Sequence, residues 1–315
     1  MIRPVVVLSH CLAEEACRYN GQAIRDPVVA AMDPYVTFRP VCPEVAIGLG
    51  VPRDPIRLVA ERGGVALVQP STGLDLTAKM RAFSRGFLDR LDPVDGFLLK
   101  GRSPSCGISQ VKVHSSDGKR VERKGRGIFA DAVLDAHPDA AVEEEGRLGD
   151  FTIREHFLTR IFASARLRRV RSASGLVRFH ATHKLLLLSH RETGMRSLGR
   201  IVANAERLPL DEVLARYAEG LAHALARPAR TPARINVFEH AFGFFSEHLT
   251  AREKKHFLEL LERYRAARVP VGAVTTLLRS WAERFDVAYL ADQVLFEPYP
   301  EGLVLLLDSG KGREA

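Results

Sequence analysis

Three short runs carry the residues that could do chemistry: His10-Cys11-Leu12, Cys42-Pro43-Glu44 and Ser103-Pro104-Ser105-Cys106-Gly107. Each follows an apolar segment that stops there: Pro4–Ser9, Tyr35–Val41, and the stretch opening at Gly96-Phe-Leu-Leu. Thiols at three strand ends are suited to bind a soft metal. Three thiolates match the protein's share of a cubane iron–sulfur cluster with one iron left without a protein ligand. Such an iron can take a substrate atom as a Lewis acid. The packed Cys-x-x-Cys run of ferredoxins is absent, so spacing alone admits zinc equally. The fourth cysteine, Cys17, is either a further ligand or a neighbour of the site. Glu44, two residues after Cys42, is placed to act as general base on water. Ser103, three residues before Cys106, can hold or pass a proton, although serine also caps turns of this kind.

The elements that must position these residues can be read from periodicity. The segments at 4–9, 66–69 and 96–99 are short apolar runs, and 35–41 is β-branched and aromatic, as strands are. Gly73 to Thr77 opens a helix with apolar residues at Met80, Phe83, Phe87, Leu88 and Leu91, and Gly125 to Leu134 leads into another. Residues 138–150 hold the last strand of this half. Strands alternating with helices predict an α/β, Rossmann-like domain over residues 1–150 with a mostly parallel sheet. In such a sheet, the carboxyl ends of the strands gather along one edge. Residues 151–175 form a basic junction, and residues 176–315 read as an all-α domain. Helices are expected at 182–190, 195–205, 210–226, 232–248 and 251–267, the last begun by a capping box at Thr250 and Glu253.

Charge divides the chain in the same place. Residues 1–150 hold 20 Lys+Arg against 20 Asp+Glu, and residues 151–315 hold 26 against 18, so the second half carries the whole net charge of +8. Arg166, Arg168, Arg169, Arg171 and Lys184 are the candidate contacts to a polyanion, most plausibly nucleic acid. No stretch nears the ~20 apolar residues of a membrane span, and the amino terminus lacks a secretory pattern. Four cysteines, all within the first third, do not make a disulfide framework in a chain of 315 residues. A cytoplasmic protein is expected, with no membrane and no obligatory protein partner.

The motifs Ser9-x-Cys-Leu, Cys17-Arg-Tyr-Asn-Gly, Cys42-Pro-Glu44, Gly-x-Asp75-x-Thr77 and Ser103-Pro-Ser-Cys-Gly107 resemble the TudS-type thiouracil desulfidase family over roughly residues 3–145. Asn20 stands where that family often has Asp. The second half resembles the YbgA-like domain, through His183-Lys184, Leu198-Gly-Arg-Ile-Val-Ala-Asn204, Asn236-Val-Phe-Glu-His240, Phe244, Tyr264-Arg265, Leu277-Leu-Arg279, Gln293 and Pro298-Tyr-Pro300. The fusion of the two resembles the RudS-type desulfidases of tRNA 4-thiouridine. The resemblance implies a 4Fe–4S cluster held by Cys11, Cys42 and Cys106 with one open iron, assistance from Glu44 and Ser103, and substrate contacts from Ser9, Arg18, Tyr19 and Asp75. It implies non-redox removal of sulfur as sulfide, with tRNA held by the basic helical half. A desulfidase of free thiouracil or thio-nucleosides, and a non-catalytic metal-containing RNA-binding module, are the alternatives.

Overall fold

A computed structural model of the chain describes residues 2–13, 17, 19–22, 26–61, 63–115, 117 and 120–304. They form two compact units, Met1–Ala165 with Gly302–Ala315, and Arg166–Glu301. The division, between Ala165 and Arg166, falls inside a helix and within the basic stretch 151–175. An amphipathic repeat does not stop where the fold changes partner.

The first unit is built on strands β1 (Val5–Ser9), β2 (Thr37–Val41), β3 (Arg57–Glu61), β4 (Gly64–Gln69), β5 (Leu74–Asp75), β6 (Gly96–Leu99), β7 (Val111–His114), β8 (Val121–Gly125) and β9 (Ala141–Glu144). Four of them pair in parallel in the order β2-β1-β6-β9. Val6, Val7, Leu8, Phe97, Leu98 and Leu99 are fully buried, which explains why β1 and β6 read as unbroken apolar runs. The other five form a second sheet, β5-β4-β3-β7-β8, in which only β3 and β7 are parallel. The parallel sheet expected from the sequence is the four-stranded one, and a second, mixed sheet accompanies it. Within the second sheet β3 turns back onto β4 as a hairpin, with Glu61 opposite Gly64.

Helices of this unit are α1 (Pro27–Met32), α2 (Pro43–Ala46), α3 (Thr77–Leu88), α4 (Ile128–Ala136) and most of α5 (Phe151–Leu167). Asp95, just before β6, ties two of these layers together. Its carboxylate accepts the Val5 amide at 2.7 Å and the Ser164 hydroxyl at 2.9 Å.

The second unit is helical, as expected: α6 (Ala173–His190), α7 (Glu192–Ala203), α8 (Leu210–Ala224), α9 (Thr231–Gly243), α10 (Ala251–Arg265), α11 (Val271–Arg284) and α12 (Ala288–Ala291). Its core gathers Phe238, Phe245, Phe257, Leu278 and Trp281 with the buried face of α6. Asn204 ends α7 in a left-handed conformation, φ 44°. Asparagine tolerates that better than most residues. The Thr250–Glu253 capping box is formed. His183 is 2 % exposed and stacked on Phe179, with ring centroids 3.8 Å apart. Its Nδ1 lies 2.7 Å from the Phe179 carbonyl, and its buried Nε2 has no partner. The ring therefore donates from Nδ1 and keeps a bare lone pair at Nε2.

Protonating His183 would bury an unpartnered N–H, and burial lowers its pKa to about 3. An unfolded histidine titrates near ~6.5. Between those values the unfolded chain binds one more proton than the folded one, so stability falls as pH falls, by up to about 1.4 kcal/mol per pH unit. Denaturant unfolding at pH 7 and pH 5 is expected to give a smaller loss for His183→Gln than for the native chain. Equal losses would show that His183 titrates normally.

Candidate active site

Parallel pairing sets the geometry of the site. Ser9 pairs with Val41, and Leu8 with Leu98, so β2, β1 and β6 end together. The chain leaving β1 makes a single helical turn, His10–Leu12, that carries Cys11. The chain leaving β2 makes Cys42 the residue before α2. Pro43 starts that helix, its fixed φ suiting the first helical position, and Glu44 follows in the first turn. The chain leaving β6 enters the turn with Cys106.

That turn is held from two sides. The amides of Ile128, Phe129 and Ala130, at the start of α4, donate to the carbonyls of Pro104 and Ser105. The approach is so close that a Cβ on Gly127 would lie 2.4 Å from the Ser105 carbonyl carbon. From the other side come two glutamates at the end of β9. Glu144 Oε1 accepts the Ile108 and Ser109 amides at 2.7 and 3.3 Å. Glu145 accepts the Gly101 amide at 2.7 Å and pairs with the Lys100 ammonium.

These loops enclose a cavity of about 570 Å³, within the range of small-molecule sites. All four cysteines line it, with Ser9, Tyr19, Glu44, Arg53, Lys100, Arg102, Ser103, Ser105 and Lys112. Cys106 is buried, and its thiol is hydrogen-bonded by Ser9 and sits 3.7 Å from the Ser105 hydroxyl. Burial pushes the Cys106 thiol up to about 12 and raises Cys11 further, with neighbouring thiols adding to the shift in Cys11. Cys17 is raised to about 11, by burial first and then by Cys42 beside it. As free thiols these groups are neutral at pH 7, and coordination to a metal would deprotonate them.

Among the described residues, no three His, Cys, Asp or Glu are gathered tightly enough to grip a single metal ion. A tetrahedral zinc, at about 2.3 Å from each sulfur, draws its thiolates within roughly 4 Å of one another. Cluster ligands each bind a different iron and stand wider apart. An all-sulfur donor set around one cavity is the ligand chemistry of zinc–thiolate and iron–sulfur sites.

Glu44 is the best-connected carboxylate in the cavity. Arg53 places both Nε (2.8 Å) and Nη2 (2.7 Å) on its Oε2. The Ser105 hydroxyl donates to its Oε1 at 2.6 Å. Ser103 Oγ lies 2.9 Å from Ser105 Oγ and accepts the amides of Ser105 and Cys106 at 3.2 and 3.1 Å. A chain of hydroxyls thus runs Ser103–Ser105–Glu44. Ser105 and Arg53 were not singled out by sequence reasoning. The second serine of Ser-Pro-Ser-Cys-Gly was the available signal for Ser105, and nothing local marked Arg53.

The structure brings Cys11, Cys42, Cys106, Glu44, Ser103, Ser9 and Tyr19 into one cavity. Tyr19 is 44 % exposed. Ser9 turns inward, its hydroxyl accepting the Lys100 amide at 2.9 Å. Arg18 lies outside the described residues. Asp75 lies outside the lining of the cavity. Its exposed carboxylate accepts the Thr77 amide at 2.8 Å, which steadies the start of α3 and lowers its pKa. The Arg166 guanidinium donates to the carbonyls of Pro298 and Glu297, and burial lowers its pKa to about 10. These bonds tie the guanidinium to the backbone at residues 297 and 298. Arg168, Arg169, Arg171 and Lys184 are exposed, with Arg171 folded back on the Arg168 and Val170 carbonyls.

Residues 6–145 match the family model described as 2-thiouracil desulfurase, and residues 184–300 match that of a protein of unknown function, DUF1722. The chain is 28 % identical to the uncharacterized protein YbgA of Escherichia coli K12, over 45 % of this chain and 88 % of that protein. It is 26 % identical to the uncharacterized protein YbbK of Bacillus subtilis 168, over 38 % of this chain and 85 % of that one. Among solved structures it is similar to a [4Fe-4S]-dependent thiouracil desulfidase, TudS, at 28 % identity and a TM-score of 0.36, covering 46 % of this chain and 93 % of that chain. The two family matches thus meet the two halves of the chain separately.

Glu144→Ala removes an acceptor shared by two turn amides, at an expected cost of about 1–3 kcal/mol. Hydrogen exchange of residues 101–109 and alkylation of Cys106 are both expected to speed up in this variant. Unchanged rates would show that Glu144 does not hold the turn.

Proposed function

We propose that this chain is an iron–sulfur-dependent desulfidase that converts the thiocarbonyl of 4-thiouridine in tRNA to a carbonyl. The observation that carries the proposal is the meeting, in one cavity, of three thiols with a carboxylate ending a hydroxyl chain. The match of residues 6–145 to the 2-thiouracil desulfurase family supports the reaction class. Cys11, Cys42 and Cys106 would hold a 4Fe–4S cluster. When bound, it supplies an open iron that binds and polarises the thiocarbonyl sulfur.

The protein's own groups do the rest. The reaction is a hydrolysis: one water replaces the sulfur, giving the carbonyl, hydrosulfide and a proton, with no net redox change. Ser105 donates to Glu44, and Ser103 can donate to Ser105, so the hydroxyl chain points toward the carboxylate. A proton taken from the attacking water at Ser103 can pass through Ser105 to Glu44 Oε1. Arg53 occupies Oε2 and leaves Oε1 as the accepting atom. Ser9 keeps the Cys106 thiol oriented, and Tyr19 offers a ring on which a base can stack.

A nucleic-acid substrate is favoured by charge. Arg102 and Lys112, both exposed, line the cavity, and among the described residues neither has an acidic partner. Arg102 holds a left-handed backbone, φ 60°, a conformation that costs a non-glycine residue about 1 kcal/mol. Arg168, Arg169, Arg171 and Lys184 add exposed cationic surface to the helical unit. Contacts of this kind hold a phosphate backbone independently of sequence. A stacked target base would have to turn out of the helix to reach the cavity.

Sulfide release from thiolated tRNA and from free 4-thiouridine, measured side by side with the anaerobic protein, is the test. Faster release from tRNA is expected, with affinity falling steeply between 50 and 200 mM salt, conditions across which several phosphate contacts lose roughly 10³-fold or more. Equal turnover of the free nucleoside, with a flat salt response, would assign the protein to small-molecule desulfidation.

A further inference from the structure

We infer that Arg53 is a positioning residue of this site: it aims Glu44 at Ser105 and fixes the strap that carries Cys17 and Tyr19. The inference rests on the proposed role of Glu44 as proton acceptor. Arginine has five N–H donors in a rigid fork. Here the side chain is 4 % exposed and its donors are spent on two structures at once. Nε and Nη2 converge on one oxygen of Glu44, at 2.8 and 2.7 Å. Nη1 donates to the Cys17 carbonyl at 3.0 Å and the Gly50 carbonyl at 2.9 Å. The Arg53 backbone amide donates to the Tyr19 carbonyl at 2.8 Å.

The asymmetry at Glu44 is the telling feature. A fork engaging both oxygens would compete with Ser105. Convergence on Oε2 leaves Oε1 to a single neutral partner, the Ser105 hydroxyl at 2.6 Å. Without the guanidinium, a half-buried carboxylate would lose its charged partner and its orientation together. Lysine keeps the charge but, as a point charge on a flexible stem, cannot hold both Oε2 and the Cys17 carbonyl. Arg53 touches neither a proposed cluster ligand's sulfur nor the reacting atoms, so it acts through Glu44 and through the strap.

The test uses the anaerobic holoprotein with thiolated tRNA and free 4-thiouracil in parallel. Arg53→Gln, Arg53→Lys, Glu44→Gln and the Arg53→Gln/Glu44→Gln pair are compared for kcat, KM, iron content and hydrogen exchange of residues 17–22. Glu44→Gln is expected to lower kcat by about 10²–10⁴. Arg53→Gln should lower kcat at least tenfold with iron content unchanged and faster exchange at 17–22. The double variant should be no slower than Glu44→Gln, because the two residues act as one unit. Arg53→Lys should recover part of kcat but not the exchange protection, and it carries the same test if Arg53→Gln does not fold. A double variant that loses the product of the two single effects overturns the inference, as does Arg53→Gln with unchanged kcat. Full turnover by Glu44→Gln would instead remove the proposed proton acceptor, an outcome separate from additivity.

Discussion

Parallel pairing of β2, β1 and β6 is the constraint on which the rest of the structure depends. Hydrogen bonding in register brings Ser9, Val41 and Leu99 to one edge of the sheet, so that whatever follows each strand meets at that edge. The three sequences that follow are short and stiff: one helical turn, a proline-started helix, and a turn packed under the start of α4. A thiol placed at each has little freedom to wander. Burial of the apolar strands that supports this arrangement also supplies the low-dielectric wall behind the cavity. The groups in front of that wall interact more strongly than they would in water.

Charge is handled locally at this edge. Glu44, Glu144 and Glu145 approach a cavity that would also hold thiolates, and each is matched. Glu44 faces Arg53, Glu145 faces Lys100, and Glu144 is satisfied by backbone amides. Buried charge is costly unless paired and hydrogen-bonded. The pairs are therefore better understood as fixing geometry than as adding stability. Glu144 and Glu145 brace the two ends of the Cys106 turn, while Arg53 links Glu44 to the strap at the mouth. Arg102 and Lys112 add two exposed cations to the lining of the same cavity.

Much of this was legible in the sequence, for identifiable reasons. The strand ends could be read because β1 and β6 are unbroken apolar runs, β2 runs into Pro43, and a thiol follows each strand within a few residues. The second sheet was legible only in part: 66–69 reads as a strand, but nothing local says that it pairs with Arg57–Glu61 rather than with β1 or β6. The local bonds of Asp75 were not legible, because an Asp two residues before a helical Thr serves equally as a cap and as a ligand contact. Those of Arg166 were not, because a charge count cannot tell a solvated guanidinium from one folded onto carbonyls 131 and 132 residues away in sequence. Arg53 and Ser105 escaped because their importance lies in long-range contacts with Glu44, at sequence separations of 9 and 61.

The central claim is that three strand-end thiols hold an iron–sulfur cluster on which sulfur removal depends. Iron and acid-labile sulfide, measured per chain on anaerobically prepared protein, test it most directly. The native chain is predicted to hold about four irons, the count of one cubane cluster, and to release sulfide from a thiolated pyrimidine. Cys11→Ala, Cys42→Ala and Cys106→Ala are each predicted to lose both. Full sulfide release by any of these variants in the absence of iron would contradict the account.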